Sequence, residues 1–169
     1  MTTPQTMWKC DKVVIVGCQK CGTTSLLKWL QQYFPNENLF RNETWFHRKD
    51  GVKEYLKYCS DYRPVIILRD PVERAWSEYN YQIKRKIYTH SYPDAIEKLG
   101  YDEVVGETNP IAQSCYLRWI ETWMEFRPII LHLEQMQKIL DFPKKNQNEY
   151  DPMPENLRIL TKKLLTDKT

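Results

Sequence analysis

Residues 13–25 read VVIVGCQKCGTTS. Four β-branched apolar residues run into Gly17. A short polar loop follows, then Gly22 and the hydroxyls of Thr23, Thr24 and Ser25. A loop that leaves a strand at one glycine and enters a helix at another points backbone N–H groups at an anion. Lys20 adds a full charge. The glycine spacing is that of a triphosphate-binding loop, G-x-x-x-x-G-K-[ST]. Yet Thr23 stands at the lysine position, and Lys20 lies three residues earlier. A ligand-free turn would leave these hydroxyls and the lysine without use.

A second stretch, ILRDPVERAWSEY at residues 67–79, qualifies the first. A triphosphate site holds Mg²⁺ through a loop hydroxyl and an acid at the end of another strand. Here that strand end carries Arg69, and Asp70 is better read as a helix cap. An arginine there suggests a ligand with an extra phosphate rather than a metal. A nucleotide with one phosphate group at each end suits both stretches.

The elements that must position these residues follow from patterning. Val13–Val16, Val65–Leu68 and Ile129–Leu133 are short apolar runs, each followed by a polar turn, and are predicted strands. Helices are predicted over Thr24–Phe34, Pro71–Lys86, Pro110–Phe126 and Pro154–Leu165. Asp70 and Asn109 cap the second and third, each followed by a proline at the first helical position. Strands alternating with helices imply an α/β, P-loop-like three-layer fold with a short central parallel sheet flanked by helices. Ligands in such sheets bind at the carboxyl ends of the strands.

The 169 residues suit one domain, 1–169, with an ordinary hydrophobic fraction of 41%. A net charge of +3, with both signs interspersed, argues against nucleic-acid binding driven by bulk charge. No apolar run approaches the roughly 18 residues of a membrane span, and the first dozen residues lack a signal-peptide core. The expectation is a soluble, cytoplasmic chain. Five cysteines without a secretory signal read as free thiols. Cys18 and Cys21 form a C-x-x-C without a second ligand pair at zinc spacing, so they read as small loop residues rather than a metal or redox site.

In the order QKCGTTSL then ILRDPVERAWSEY, the chain resembles the sulfotransferases that use 3′-phosphoadenosine-5′-phosphosulfate (PAPS). The wording is most similar to their carbohydrate branch, the heparan-sulfate-type N- and 3-O-sulfotransferases, over residues 12 to 140. The resemblance implies that Lys20, Cys21, Gly22, Thr23, Thr24 and Ser25 hold the 5′-phosphosulfate. It implies that Arg69 and Ser77 hold the 3′-phosphate, with Lys144 and Lys145 as the remnant of a basic loop closing over the nucleotide. Lys20 then stabilises charge on the leaving oxygen, and no metal is required. The segment NETWFHR is similar to the K-E-x-x-F-F segment that carries the family's general base. That makes Glu43 the candidate base and His47 the runner-up. The acceptor would be a carbohydrate or a small molecule.

The family's short strand with a K-T-P-like motif is not visible here, and the segment after Leu140 is short, so this is a minimal version of the pattern. Trp45, in the candidate loop, has the character to stack on an acceptor. Trp119 and Trp123 read as core, and His132 as a strand residue of the core. Two competing readings are a Mg²⁺-dependent kinase or other triphosphate-binding protein, and a non-catalytic nucleotide-binding module.

Overall fold

The computed structural model describes residues 2–102, 106–139, 141–143 and 150–167. In chain order they form α1 (Pro4–Trp8), β1 (Val13–Gly17), α2 (Thr23–Leu30), β2 (Leu39–Arg41), α3 (Gly51–Tyr58), β3 (Arg63–Leu68), α4 (Pro71–Lys84) and α5 (Tyr92–Lys98). The strands β4 (Tyr101–Asp102) and β5 (Gly106–Glu107) follow, then α6 (Pro110–Ser114), α7 (Tyr116–Ile120), β6 (Ile129–His132), α8 (Leu133–Met136) and α9 (Glu155–Asp167). Lys144 and Lys145 lie outside the described residues.

Among the described residues, four strands form one sheet in the order β2-β1-β3-β6, parallel throughout. β1 and β3 are central, and Val13–Val16 and Val65–Ile67 are fully buried. Burial on both faces is why they read as continuous apolar runs rather than as an alternation. β4 and β5 make a separate antiparallel pair.

The chain steps outward from β1 to β2, then crosses back to β3 and on to β6. Right-handed crossovers place α2 on one face of the sheet and α3 on the other. Against α2, Trp29 packs with Trp8, Tyr33 and Phe142. Against α3, Tyr55 meets Trp123 and Phe126 edge-on. The helices flank the sheet as the α/β reading requires.

The helix ends follow local chemistry. Asp70 Oδ1 accepts from the N–H groups of Val72 and Glu73, both at 3.0 Å, and fixes the start of α4. Asn109 Oδ1 does the same for Ile111 and Ala112. α2 starts at Thr23 and its regular part ends at Leu30. The chain then tightens, with the N–H of Tyr33 bonding Leu30 O at 2.9 Å. The expected single helix over 110–126 is broken at Cys115 (φ −82°, ψ 73°) into α6, α7 and a 3₁₀ segment, Glu121–Phe126. Trp119 and Trp123 are nevertheless core, at 5% and 0% exposed. His132 departs from expectation, because it is exposed at the end of β6.

A second apolar cluster joins α4, α5, α6 and α9 around Val72, Ala75, Tyr92, Ile111 and Leu165. The Tyr92 hydroxyl sits 2.8 Å from Thr161 Oγ1, and burial pushes it up to about 12. The unfolded chain ionises its tyrosines near the usual value of about 10. A raised pKa in the folded state means that this group's stabilisation is complete below about 10 and is lost as pH climbs through about 12. In an alkaline titration, helix ellipticity and the late tyrosinate absorbance should therefore change together. Complete tyrosinate formation with ellipticity intact would contradict the burial of Tyr92.

Candidate active site

β1 and β3 are adjacent, but the chain leaves them toward opposite edges of the sheet. A crevice therefore opens between their carboxyl ends, the place where open α/β sheets take ligands. The loop after β1 and the Arg69–Asp70 segment after β3 meet there.

The loop is shaped by two glycines. A Cβ on Gly17 would collide with the Phe46 side chain and lie 3.2 Å from Glu43 O. Gly22 has φ +91°, and a Cβ there would come within 2.6 Å of Leu133. Gly22 caps α2 without a side-chain bond, so the first N–H groups of α2 face the crevice with no intrahelical acceptor. Thr24 is exposed and Ser25 half-buried beside them.

Close packing at Gly17 sets the next segment. Phe46 is fully buried beneath the glycine, and the turn Trp45–His47 follows it. Glu43 is thereby brought against α2, where the Thr23 hydroxyl donates to Glu43 Oε2. The carboxylate lies at a helix N-terminus, where the macrodipole favours negative charge. Next to it, Arg41 Nη1 donates to Thr24 Oγ1 at 3.3 Å. His47 turns inward instead. It is 1% exposed and edge-on to Trp119 at 6.5 Å. Trp45 is also interior, 3% exposed and packed on Phe40 at 6.0 Å, which corrects the stacking expectation.

On the other side of the loop, Arg69 Nη1 donates to Lys20 O at 3.3 Å. Lys20 adopts φ +61° and places Nζ 3.9 Å from the centre of the Tyr81 ring. Ser77 lies on the buried side of α4, 6% exposed. Beyond Arg69 is a cavity of about 360 Å³, lined by Asp70, Tyr116, His132 and Glu134 among others. Its volume falls at the small end of the ligand-pocket range. Among the described residues, no group of three or more His, Cys, Asp or Glu converges as a metal-ligand set.

Cys21 lies in the turn of the loop. Its N–H closes a turn onto Cys18 O at 3.2 Å, and its buried thiol lies 3.6 Å from the Tyr116 hydroxyl.

Two residues that the sequence reading passed over hold this arrangement. Arg74, fully buried on α4, donates from Nε to Gln19 O at 3.0 Å inside the loop. Its Nη1 reaches Pro110 O and Ser114 Oγ, and its Nη2 reaches Gln113 Oε1. Burial by itself favours the neutral guanidine. The charges expected of Cys18 and Glu78 outweigh it and raise the pKa further. Tyr116 donates to Arg69 O at 2.6 Å. The i, i+4 spacing of Arg74 and Glu78 was a signal for Arg74, but it reads as a surface pair. Tyr116 had none.

Two curated proteins align with the chain, the heparan sulfate glucosamine 3-O-sulfotransferases 5 of Mus musculus and Homo sapiens. Each is 26% identical over 156 residues, covering 70% of this chain and 45% of the relative. The chain resembles the sulfotransferases of the carbohydrate branch. It spans about half the length of these curated relatives. A solved structure, the sulfotransferase from Alicyclobacillus acidocaldarius, superposes with a TM-score of 0.67 over 92% of this chain and 91% of that one. At 16% identity that likeness speaks for the fold. No model of a known protein family matches. Among the described residues, no helix is long and apolar enough to cross a membrane.

Proposed function

We propose that the chain transfers the sulfuryl group of PAPS to a hydroxyl or amine of a carbohydrate or small-molecule acceptor. One observation carries this reading. The loop after β1 is touched on one flank by a carboxylate, Glu43 at Thr23, and on the other by a phosphate-type arginine, Arg69 at Lys20. That order across the sheet suits an acceptor on the β2 side and a 3′-phosphate on the β3 side.

The residues present fit such a nucleotide. The free N–H groups of α2 and the hydroxyls of Thr24 and Ser25 would hold the 5′-phosphosulfate. The guanidinium of Arg69 and the hydroxyl of Ser77 would hold the 3′-phosphate. When bound, PAPS supplies an activated sulfuryl group. Glu43 takes the proton from the acceptor hydroxyl on its carboxylate as the oxygen attacks. The Lys20 ammonium, which rests over the Tyr81 ring, would stabilise the charge that develops on the leaving oxygen. The Thr23 hydroxyl holds the Glu43 carboxylate toward the crevice.

The test is thermal stability with 3′,5′-adenosine diphosphate, compared with ATP or GTP plus Mg²⁺. A ligand present at about a hundred times its dissociation constant adds about 2.7 kcal/mol, several degrees of melting temperature. The expected result is a shift with the bisphosphate alone, lost in Arg69→Ala. A shift only with a triphosphate and Mg²⁺ would overturn the reading and make the chain an unusual triphosphate-binding protein. No shift with either would leave a ligand-free scaffold.

A further inference from the structure

We propose that Cys18 and Cys21 form an oxidisable dithiol inside the loop after β1, a modification site that takes hydrogen peroxide or a small organic peroxide as its oxidant. Both are free thiols and 0% exposed. The hydrogen bond from the Cys21 N–H to Cys18 O closes an i to i+3 turn. Such a turn keeps the outer Cα atoms within about 7 Å, close to the span that a disulfide bridges.

Their surroundings divide the two roles. Burial alone pushes the Cys18 thiol up. The neighbouring Cys21, the Arg74 charge and the adjacent His47 reverse this and hold it well below the usual thiol range. Cys21 is pushed up, by burial first and then by Cys18. Its S–H is directed at the Tyr116 oxygen, because the Tyr116 proton is donated to Arg69 O. Cys18 is therefore the nucleophile and Cys21 the resolving thiol. His47 has a buried Nδ1 with no hydrogen-bond partner among the described residues. A polar group beside Cys18 would give it one.

In the first step the Cys18 thiolate attacks one peroxide oxygen. The O–O bond breaks, hydroxide leaves, and the sulfur is oxidised to a sulfenic acid. In the second step the Cys21 sulfur attacks the Cys18 sulfur. The S–O bond breaks, an S–S bond forms, and the Cys21 proton leaves in water. In sum, two thiols and one hydrogen peroxide give one disulfide and two waters. The Cys21 sulfur then turns from Tyr116, whose hydroxyl fixes the Arg69 carbonyl. The loop and the arginine lose a shared support. Only this consequence rests on the proposed function.

Trypsin cuts after Lys20, between the two cysteines. After peroxide treatment, alkylation of free thiols and digestion without reductant, the fragments 13–20 and 21–28 should stay joined until dithiothreitol is added. Cys59 and Cys115 should remain alkylatable. In Cys21→Ser, Cys18 should gain one oxygen and react with dimedone. Recovery of both fragments alkylated and separate, or oxidation confined to Cys10, would overturn the proposal, and the wild-type map decides this whether or not the variant folds. Oxidation should also weaken 3′,5′-adenosine diphosphate binding about tenfold, the equivalent of one lost contact to a charged group, and reduction should restore it. A dithiol that closes in a chain whose reduced form binds no nucleotide would support this proposal and sink the sulfotransferase reading.

Discussion

Glu43→Gln is expected to lower sulfuryl transfer by about 10² to 10⁴-fold, the usual contribution of a general base, while binding of 3′,5′-adenosine diphosphate is little changed. The substitution is chosen for its geometry. Glutamine keeps the oxygen that accepts from the Thr23 hydroxyl, so the start of α2 keeps its partner. Phe46 still fills the space under Gly17, so the segment holds its place. What disappears is a carboxylate able to take a proton. Release of 3′,5′-adenosine diphosphate from PAPS should be followed with the acceptor that the unaltered chain turns over fastest. The loss should fall on kcat more than on KM, because the acceptor proton moves only in the reacting state. Activity within about tenfold of the unaltered chain would mean that Glu43 is not the base. His47→Ala would then be the next substitution, although the burial of His47 makes a large effect there harder to explain.

The parts of this arrangement that were legible in the sequence are those fixed by local rules. Val13–Val16 and Val65–Leu68 are buried on both faces, so their apolar runs stand out. Asp70 and Asn109 are caps whose partners lie two or three residues away. Gly17 and Gly22 mark a loop that other side chains cannot form without collision. The obscure parts are those set by distant neighbours. β2 is three residues, Leu39–Arg41, at the edge of the sheet and with two of the three exposed, so it carries no apolar run. The break at Cys115 lies inside an uninterrupted helical pattern, and Tyr116 turns from there to reach the Arg69 carbonyl. Trp45 lies beside a candidate catalytic residue in sequence, yet packs on Phe40 from β2. With that strand unrecognised, nothing in the sequence indicated what would cover it.

Arg74→Met is expected to be the most destabilising single change in the α4 framework. The guanidinium is 0% exposed and serves carbonyls from two separate segments, Gln19 in the loop and Pro110 at the start of α6. It also bonds Ser114 and Gln113 and lies 4.0 Å from the buried Glu78 carboxylate. Methionine fills much of the volume but donates nothing. Removing one partner of a buried charged network costs about 3–5 kcal/mol, because the other groups stay buried and unpaired. For a chain of this size that is a fall of roughly 10 °C in melting temperature. Arg74→Lys keeps the charge without the planar fork. It can satisfy some of these acceptors but not both segments at once, so its loss should be intermediate. A melting temperature for Arg74→Met within about 2 °C of the unaltered chain would show that the network contributes little. A large fall rescued in part by lysine would show that the phosphate-type loop is held from below by one arginine. Under that condition the nucleotide affinity of Arg74→Lys should fall as well, through the loop carbonyl that it no longer holds, although position 74 touches no ligand.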